Sequence, residues 1–348
     1  MLYCYAFRSG RVSAAERACA VNQRILVTGG AGYIGSHVTR LLLEKGYEVR
    51  VLDKLVWGKT PLEDVAGHPG FELYEGDIRH VEDLVGSLAD VHGVIHLAGI
   101  VGDPACALDP DTTFGINLEA TKVIVDVARY RGVNRFVFAS TCSVYGAAGD
   151  YWLNEGSLLN PVSLYAETNL ESEEIILQAF RGTDTIPTIV RFATIYGAST
   201  RMRFDLVVNI MTAKAVTEGR VKVYGGDQWR PNVHARDAAR ATIACLEGSE
   251  DVVGREIFNV GSNAQNYRIL DLGERVAAQI PGSKVEVMGD SPDKRSYRVS
   301  FDKIHQLLGF RCDHTVESGV AEIASMLREK SIENYQDDRY YNVRYQYR

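Results

Sequence analysis

The sequence has few cysteines and no paired cysteine motif. Its six cysteines are scattered along 348 residues, and none forms a C-x-x-C pair. This spacing argues against a zinc site and against a disulfide framework. It favours reduced thiols, as in a cytoplasmic protein. We therefore expect a cytoplasmic location and no metal.

Two further absences limit the partners that the protein can have. No apolar run is long enough to span a bilayer, and the net charge of −7 argues against nucleic acid as a main partner. The N-terminus carries Arg8, Arg11 and Arg17 and no compact apolar core, so we expect no signal peptide. What remains is an ordinary globular composition in a chain long enough for two lobes.

A glycine-rich turn is the strongest motif in the chain. Arg24–Gly35 reads R-I-L-V-T-G-G-A-G-Y-I-G, between a predicted buried strand and an amphipathic helix. The spacing of Gly29, Gly32 and Gly35 allows a tight turn, close approach of the backbone to a pyrophosphate, and close packing of strand and helix. The helix N-terminus adds free N–H groups for the phosphates. The motif predicts a dinucleotide site.

An acidic residue ends the second predicted strand. Asp53 closes the stretch V-R-V-L-D, 21 residues after Gly32. A carboxylate at this place would accept hydrogen bonds from an adenosine ribose and would repel a 2′-phosphate, which favours NAD as the cofactor. A βαβ unit without a ligand is the alternative.

Strand and helix patterns alternate through the first half of the chain. This alternation predicts an α/β fold with a doubly wound, Rossmann-like parallel sheet. After Gly197 the segments become shorter and more mixed, which indicates a smaller C-terminal lobe. We divide the chain into an N-terminal extension (1–22), an NAD-binding domain (23–197), a mainly substrate-binding lobe (198–330) with some segments returning to the first domain, and a C-terminal tail (331–348).

Polar residues at the ends of predicted strands have more than one interpretation. Asp77 either caps the next helix or holds the adenine amino group. His96 lies within an apolar run, which favours a core histidine. Thr141 ends a buried strand and Tyr165 opens a helix, so both would project from the carboxyl edge of the sheet. A phenol can act as a general base toward an alcohol while a hydroxyl relays the proton, although Thr141 could merely cap its turn.

Together these motifs resemble a known family, the extended short-chain dehydrogenases/reductases that act on nucleotide-sugars, which include 4-epimerases and 4,6-dehydratases. The resemblance runs from about residue 23 to 328. T-C-S-V-Y-G places Thr141 at the family's catalytic Ser/Thr, and S-L-Y-A-E-T-N places Tyr165 at its catalytic tyrosine. The residues that match NAD-contacting positions are Gly29, Gly32, Tyr33, Ile34, Gly35, Asp53, Asp77, Ile78, Leu97, Ala98, Asn117 and Tyr165.

The resemblance also implies a substrate site and a dimer. Q-W-R-P-N-V-H-A-R-D and D-K-R place Arg230 and Arg295 where the family binds the nucleotide diphosphate, beside Thr141 as a substrate contact. Either arginine could instead be a salt-bridge partner. Asn117 could be a helix N-cap as well as an active-site residue. A homodimer is implied, with the helices around 117–131 and 165–180 pairing into a four-helix bundle.

One position departs from the family motif Tyr-x-x-x-Lys. Asn169 stands where lysine is expected, on the same helix face as Tyr165. Asn169 can hydrogen-bond a ribose hydroxyl, so it remains a catalytic and cofactor-binding candidate, but it brings no charge. A cation about 5 Å from a phenolate, at an effective dielectric constant of about 20, is worth roughly 3 kcal/mol. Its loss would slow oxidation by about a hundredfold.

A second departure bears on the reaction. The 4,6-dehydratases follow the threonine with Asp-Glu, whereas this chain has Cys142 and Ser143, of which only Cys142 could be a weak acid or base. The sequence therefore predicts an NAD-dependent nucleotide-sugar epimerase or dehydrogenase that oxidises the sugar C4 hydroxyl, with Tyr165 as base. The alternatives are a catalytically weakened homologue that binds NAD and a nucleotide-sugar and, less favoured, a 4,6-dehydratase.

Overall fold

A computed structural model describes residues 23–146, 151–289, 293 and 295–344 of the protein. The predicted N-terminal extension, 1–22, lies outside the described residues. The strands, in chain order, are β1 (Arg24–Thr28), β2 (Glu48–Asp53), β3 (Phe71–Glu75), β4 (Gly93–His96), β5 (Arg135–Thr141), β6 (Trp152–Leu153), β7 (Ile186–Phe192), β8 (Thr194–Tyr196), β9 (Arg220–Tyr224), β10 (Trp229–His234), β11 (Ile257–Val260), β12 (Asn266–Arg268), β13 (Lys284–Met288) and β14 (Arg298–Val299).

Helices connect most of these strands. The α-helices are α1 (Gly35–Glu44), α2 (Val81–Ser87), α3 (Asp103–Leu108), α4 (Pro110–Phe114), α5 (Ala120–Arg131), α6 (Leu164–Ala179), α7 (Val207–Glu218), α8 (Ala235–Glu247), α9 (Glu250–Val253), α10 (Ile269–Gln279), α11 (Asp302–Leu308) and α12 (Val316–Arg328).

A seven-stranded parallel sheet lies at the centre, in the order β11-β7-β5-β4-β1-β2-β3. Ile25, Leu26 and Val27 of β1 are fully buried, as expected for a parallel strand covered on both faces. The chain winds outward in both directions from β1, which pairs with β2 on one side and β4 on the other. This topology confirms the predicted doubly wound, Rossmann-like sheet and places a crevice at the carboxyl ends of β1 and β4.

The second half of the chain has its own apolar core and, together with β6, forms smaller sheets. One sheet has the order β12-β10-β8, and two-stranded sheets pair β13 with β9 and β14 with β6. Helix α8 packs against α1, and β11 is an edge strand of the central sheet. Segments of the second half therefore contact the first sheet, and the domain boundaries given above remain a prediction.

Two helices begin elsewhere than the sequence indicates. The helix expected at 117–131 is entered through α3, α4 and a π-helical turn, Gly115–Glu119. Asn117 lies inside that turn, so its interpretation as a helix N-cap is wrong. The stretch Phe204–Glu218 has a helical pattern in the sequence, but its helix begins at Val207 as α7.

The C-terminal tail packs on the protein as far as Arg344, although its sequence has no apolar period. Ile332, Tyr335 and Tyr341 are buried in a cluster with Phe204. The Tyr335 hydroxyl donates a hydrogen bond to Glu218 at 2.6 Å. Within the described ranges, no helix has the length and apolar character needed to cross a membrane.

Candidate active site

A cavity of about 870 Å³ opens at the carboxyl edge of the central sheet. Its wall contains residues that directly follow β1, β2, β3 and β4, together with residues from the second half of the chain. Open α/β sheets bind their ligands at this edge, where the strand order reverses. The sequence-predicted residues can therefore be located relative to one cavity.

The glycine turn forms a cradle that has no room for side chains. Gly29 has a φ of +72°, and a Cβ there would lie 2.9 Å from the backbone of Ala98. A Cβ on Gly32 would lie 2.9 Å from the Gly29 carbonyl oxygen, and one on Gly35 would be closer still to that oxygen. The cradle leads into the N-terminus of α1, so its shape and its free N–H groups fit a pyrophosphate.

Asp53 lines the cavity at the end of β2. Its two carboxylate oxygens accept hydrogen bonds from the backbone N–H groups of Ala31 (2.9 Å) and Leu55 (2.8 Å). Burial raises the pKa of Asp53, and these two hydrogen bonds oppose the increase. Each oxygen keeps a further lone pair, so the arrangement fits a carboxylate that accepts hydrogen bonds from ribose hydroxyls.

Asp77 is held by cations and does not cap α2. Its carboxylate accepts from Arg79 at 2.6 Å and lies 3.1 Å from the Lys54 ammonium. Burial alone would raise the pKa of Asp77, but the hydrogen bonds from Arg79 and Lys54 hold it well below its ordinary value. The capping interpretation is therefore wrong. Asp77 lines the cavity together with five further predicted cofactor residues, Tyr33, Ile34, Ile78, Leu97 and Ala98.

Two predicted polar residues lie behind the cavity wall. Asn117 accepts from the Ile100 N–H at 2.8 Å and donates to the Ile100 carbonyl at 2.9 Å, so it fixes the loop after β4. His96 is buried, and its ring nitrogens hydrogen-bond with Thr28 (2.7 Å) and Thr121 (3.1 Å). Burial lowers the pKa of His96 to about 4. The prediction of a hydrogen-bonded core histidine is confirmed.

Thr141 and Tyr165 meet on the cavity wall. Tyr165 lies in the first turn of α6, whose N-cap Ser163 accepts from the Ala166 N–H at 3.3 Å and donates to Asp103 at 2.7 Å. Both residues line the cavity, and the Thr141 hydroxyl is close enough to lower the pKa of the Tyr165 phenol. The strand end and the helix start thus bring two hydroxyl groups together, as the sequence order predicted.

The surroundings of Tyr165 disfavour its phenolate in the absence of ligands. Burial raises the pKa of Tyr165 well above its ordinary value, and Cys106 and Asp103 raise it further. The Thr141 hydroxyl and the charge of Arg203 lower the pKa of Tyr165 without cancelling this increase. Arg203 is itself paired with Asp205 at 2.9 Å. A base role for Tyr165 therefore requires additional positive charge in the cavity.

Asn169 does not line this cavity. Its side-chain amide donates a hydrogen bond to the Tyr165 carbonyl on its own helix, at 2.7 Å. The residue is buried, with 7% of its surface exposed. Because Asn169 does not line the cavity, its hydrogen bond to a ribose stays a prediction.

A buried ion pair anchors the helix that carries Tyr165. Glu173 of α6 pairs with Arg191 of β7 at 2.6 Å, and both side chains are 2% exposed. Ser140, next to Thr141, also donates to Glu173. Breaking a buried pair leaves an uncompensated charge. The pair therefore fixes α6 relative to the strand that presents Thr141.

Arg230 and Arg295 line the same cavity and share one carboxylate. Asp293 lies 2.8 Å from the Arg230 guanidinium and accepts two hydrogen bonds from Arg295, at 2.9 and 2.6 Å. Arg295 also pairs with Asp103 and donates to Ser143 at 3.3 Å. Burial would raise the pKa of Asp293, but the two arginines hold it well below its ordinary value. Both arginines are therefore salt-bridge partners, and both also line the cavity.

Cys142 faces away from the cavity. Its thiol donates to the Arg191 carbonyl at 3.3 Å, and the residue is 1% exposed. Burial raises the pKa of Cys142 far above its ordinary value. The suggestion that Cys142 is a weak acid or base is therefore wrong, whereas Ser143 does line the cavity.

The structure adds cavity residues that the motifs did not identify. The Arg201 guanidinium stacks on Trp57 at 4.1 Å and donates to the Asn342 side chain at 2.5 Å. Asn342 in turn donates to the Val101 carbonyl at 3.3 Å. Arg201 belongs to the stretch R-M-R-F-D (201–205), whose two closely spaced arginines are visible in the sequence. Asn342 gave none, because it reaches the cavity only through the packing of the C-terminal tail.

A family model supplies the decisive comparison: residues 25–261 match the NAD dependent epimerase/dehydratase family. The chain belongs to this family. Its cofactor is NAD, as the glycine turn and Asp53 predicted. The family resemblance inferred from the motifs is thereby confirmed.

Known relatives within the family carry several activities. UDP-glucose 4-epimerase from Lactobacillus helveticus is 26% identical, over 90% of this chain and 99% of its own length. UDP-glucuronic acid decarboxylase 1 from Arabidopsis thaliana is 30% identical, over 88% and 70% respectively. The dTDP-glucose 4,6-dehydratase DesIV of Streptomyces venezuelae, solved with NAD bound, superposes with a TM-score of 0.80 and 27% identity, over 88% and 98%. The comparisons therefore establish the family, whose members carry out more than one reaction on nucleotide-sugars.

Proposed function

We propose that the protein oxidises the C4 hydroxyl of a nucleotide-sugar and returns the hydride to the opposite face, giving the epimer. The observation that carries this proposal is that Tyr165 and Thr141 line the same cavity as the glycine cradle, with the Thr141 hydroxyl close enough to lower the pKa of Tyr165. The relative named UDP-glucose 4-epimerase supports a sugar C4 reaction. Dehydration is disfavoured, because Cys142 faces away from the cavity and Ser143 stands beside it.

The residues of the chain divide the work of the reaction. Arg230 and Arg295 bind the diphosphate, to which guanidinium groups are well matched in charge and geometry. Tyr165 removes the proton of the sugar hydroxyl, and Thr141 holds the same oxygen and relays the proton. When reduction follows, Tyr165 returns the proton to the new hydroxyl.

The cradle of Gly29, Gly32 and Gly35 holds the NAD pyrophosphate, and Asp53 holds the adenosine ribose. Bound NAD would supply the hydride acceptor and donor for the sugar carbon, and its oxidised ring would bring positive charge to the cavity. That charge opposes the burial that raises the pKa of Tyr165. An epimerase of this design retains its cofactor through turnover.

Product analysis tests the reaction type. Candidate nucleotide-sugars are incubated with the purified protein, with and without added NAD, and the ketose and the C4 epimer are quantified. We expect the epimer to form without a requirement for stoichiometric NAD. Free NADH that accumulates one-for-one with ketose would rule out epimerisation and indicate a net dehydrogenase.

Asn169 favours a second candidate, a catalytically weakened protein that binds NAD and a nucleotide-sugar. The asparagine brings no charge, and its amide bonds its own helix. Asn169→Lys distinguishes the two candidates. If the missing charge limits oxidation, this variant reacts up to about a hundredfold faster than the wild type. A variant that is no faster on the best substrate would show that the charge was never the limitation.

We also propose a homodimer that pairs α5 and α6 across a twofold axis. Val123, Val127 and Ile175 on these helices are only partly buried within one chain, which leaves apolar surface for a second copy. Sedimentation at micromolar concentration tests this, since a purely monomeric protein would contradict it. The scattered cysteines, of which Cys106, Cys142, Cys245 and Cys312 are free thiols, support a cytoplasmic location.

A further inference from the structure

The cavity continues past the arginine pair to a wall that the reaction does not use. The Asp293 carbonyl accepts from the Gln228 side chain at 3.5 Å, and Gln228 accepts from the Gly226 N–H at 2.8 Å. This chain of contacts connects Arg230 and Arg295 to the turn that follows β9. On its other side, Arg295 contacts Asp103, which lies toward Tyr165. The wall beside β9 therefore lies on the nucleoside side of the diphosphate.

Helix α7 gives this wall an apolar surface with a cation at one end. Val207, Ile210, Met211 and Lys214 all line the cavity. Their spacing of i, i+3, i+4 and i+7 places them along one helix face. Ile269 at the start of α10 adds to the apolar surface. A flat apolar ligand fits such a stripe, with its polar rim turned toward the lysine.

Strand β9 contributes a second cation. Val221 and Val223 are fully buried in the core, and because side chains alternate along a strand, Lys222 projects from the other face. Lys222 and its neighbour Tyr224 both line the cavity.

Neither lysine has a hydrogen-bond or ion-pair partner among the described residues. Glu286 is the register neighbour of Lys222 on β13, but it pairs with Arg220 at 3.9 Å. Two ammonium groups at the edge of an apolar wall thus keep their hydrogen-bond donors available for a ligand.

We propose that Lys214 and Lys222 select a nucleotide whose base carries a carbonyl at pyrimidine position 4 or purine position 6, as uracil, thymine and guanine do. The inference rests on the proposed function, since it assigns the base of the same nucleotide-sugar. An ammonium group can only donate hydrogen bonds, and a base carbonyl oxygen accepts them. Cytosine and adenine carry an amino group at the corresponding position. That amino group is a donor, so facing an ammonium it leaves both groups unpaired.

Two isosteric pairs of free nucleotides test this inference on protein saturated with NAD. UDP and CDP differ at one ring substituent, oxygen against an amino group, and IDP and ADP differ in the same way. We expect UDP to bind about tenfold or more tightly than CDP, and IDP likewise more tightly than ADP. In Lys222→Met and Lys214→Met the UDP-to-CDP ratio falls toward one, through weaker binding of UDP.

Lys45→Met is the matched control, since Lys45 is half exposed and pairs with Glu247 on the surface. This variant keeps the wild-type ratio. Equal binding of UDP and CDP to the wild type, or an unchanged ratio in both cavity variants, would overturn the base assignment while leaving the nucleotide site in place. If no nucleotide binds the NAD-loaded protein, the proposed function itself fails.

Discussion

The two halves of the cavity are prepared for their ligands in different ways. In the cofactor half, backbone groups form the surface, as in the glycine cradle and in the two N–H groups that satisfy Asp53. In the substrate half, charged side chains satisfy one another, since Arg230 and Arg295 both bind Asp293. NAD therefore meets a preformed surface, whereas a diphosphate must compete with a carboxylate for its arginines.

The largest expected effect is at Tyr165, where the two halves meet. Tyr165→Phe removes the hydroxyl that serves as base and keeps the ring that packs against Ile100 and Cys106. Turnover should fall by about a hundredfold to ten-thousandfold. NAD and nucleotide should still bind, which titration of both ligands checks. Tyr151→Phe, at an exposed tyrosine, is the control, and equal turnover in the two variants would exclude Tyr165 as the base.

The stability of the protein in acid should depend on His96, which lies behind the cavity wall, and on Asp293, which lies in the substrate half. The unfolded chain protonates its histidines below about pH 6.5, whereas folded His96 binds a proton only below about pH 4. The unfolding free energy should therefore decrease as pH falls through this window, by about 3 kcal/mol for His96. The carboxylate of Asp293 acts in the same direction but at lower pH, because its stabilisation is present above about pH 4 and is lost in stronger acid.

Chemical denaturation across this pH range measures the effect. His96→Gln should flatten the decrease between pH 6.5 and 4, and the remainder comes in part from His37, whose pKa burial also lowers to about 4. A slope identical to that of the wild type would show that His96 is not the group responsible.

Adding one methyl group to the glycine turn tests whether the cradle is rigid. Gly32→Ala places a Cβ 2.9 Å from the Gly29 carbonyl oxygen, whereas Gly67→Ala places one where no atom lies within 4 Å. Overpacking of this kind costs about 1–3 kcal/mol, so NAD binding should weaken by about tenfold to a hundredfold in the first variant only. Unchanged NAD affinity in Gly32→Ala would contradict the view that the cradle is rigid.

The smallest expected effect is at the substrate half. Asp293→Asn removes the carboxylate that competes for Arg230 and Arg295, so nucleoside diphosphates should bind several-fold more tightly. Calorimetric titration with UDP or GDP measures this change. Weaker binding would mean that Asp293 supports the arginines in the bound state and that the substrate half is also preformed.

The same division explains how much could be predicted from the sequence. The cofactor half depends on local patterns, such as glycine spacing and an acid at a strand end, and its main features were predicted. The substrate half depends on contacts between distant segments. Asp103 meets Arg295, and Asn342 meets Arg201, and no local spacing encodes either contact. Asn169 shows a further limit, because its place on the helix face of Tyr165 could be predicted, whereas the hydrogen bond of its amide to the Tyr165 carbonyl could not.

The most direct test of the account follows deuterium placed at C4 of the nucleotide-sugar. If Tyr165 removes the hydroxyl proton while the C4 hydride moves to NAD and back, the epimer should retain its deuterium at C4, as NMR or mass spectrometry of the product would show. Tyr165→Phe should give neither epimer nor reduced NAD. Epimer that has exchanged its C4 deuterium with solvent would contradict the account, since it would show that C4 loses a proton rather than a hydride.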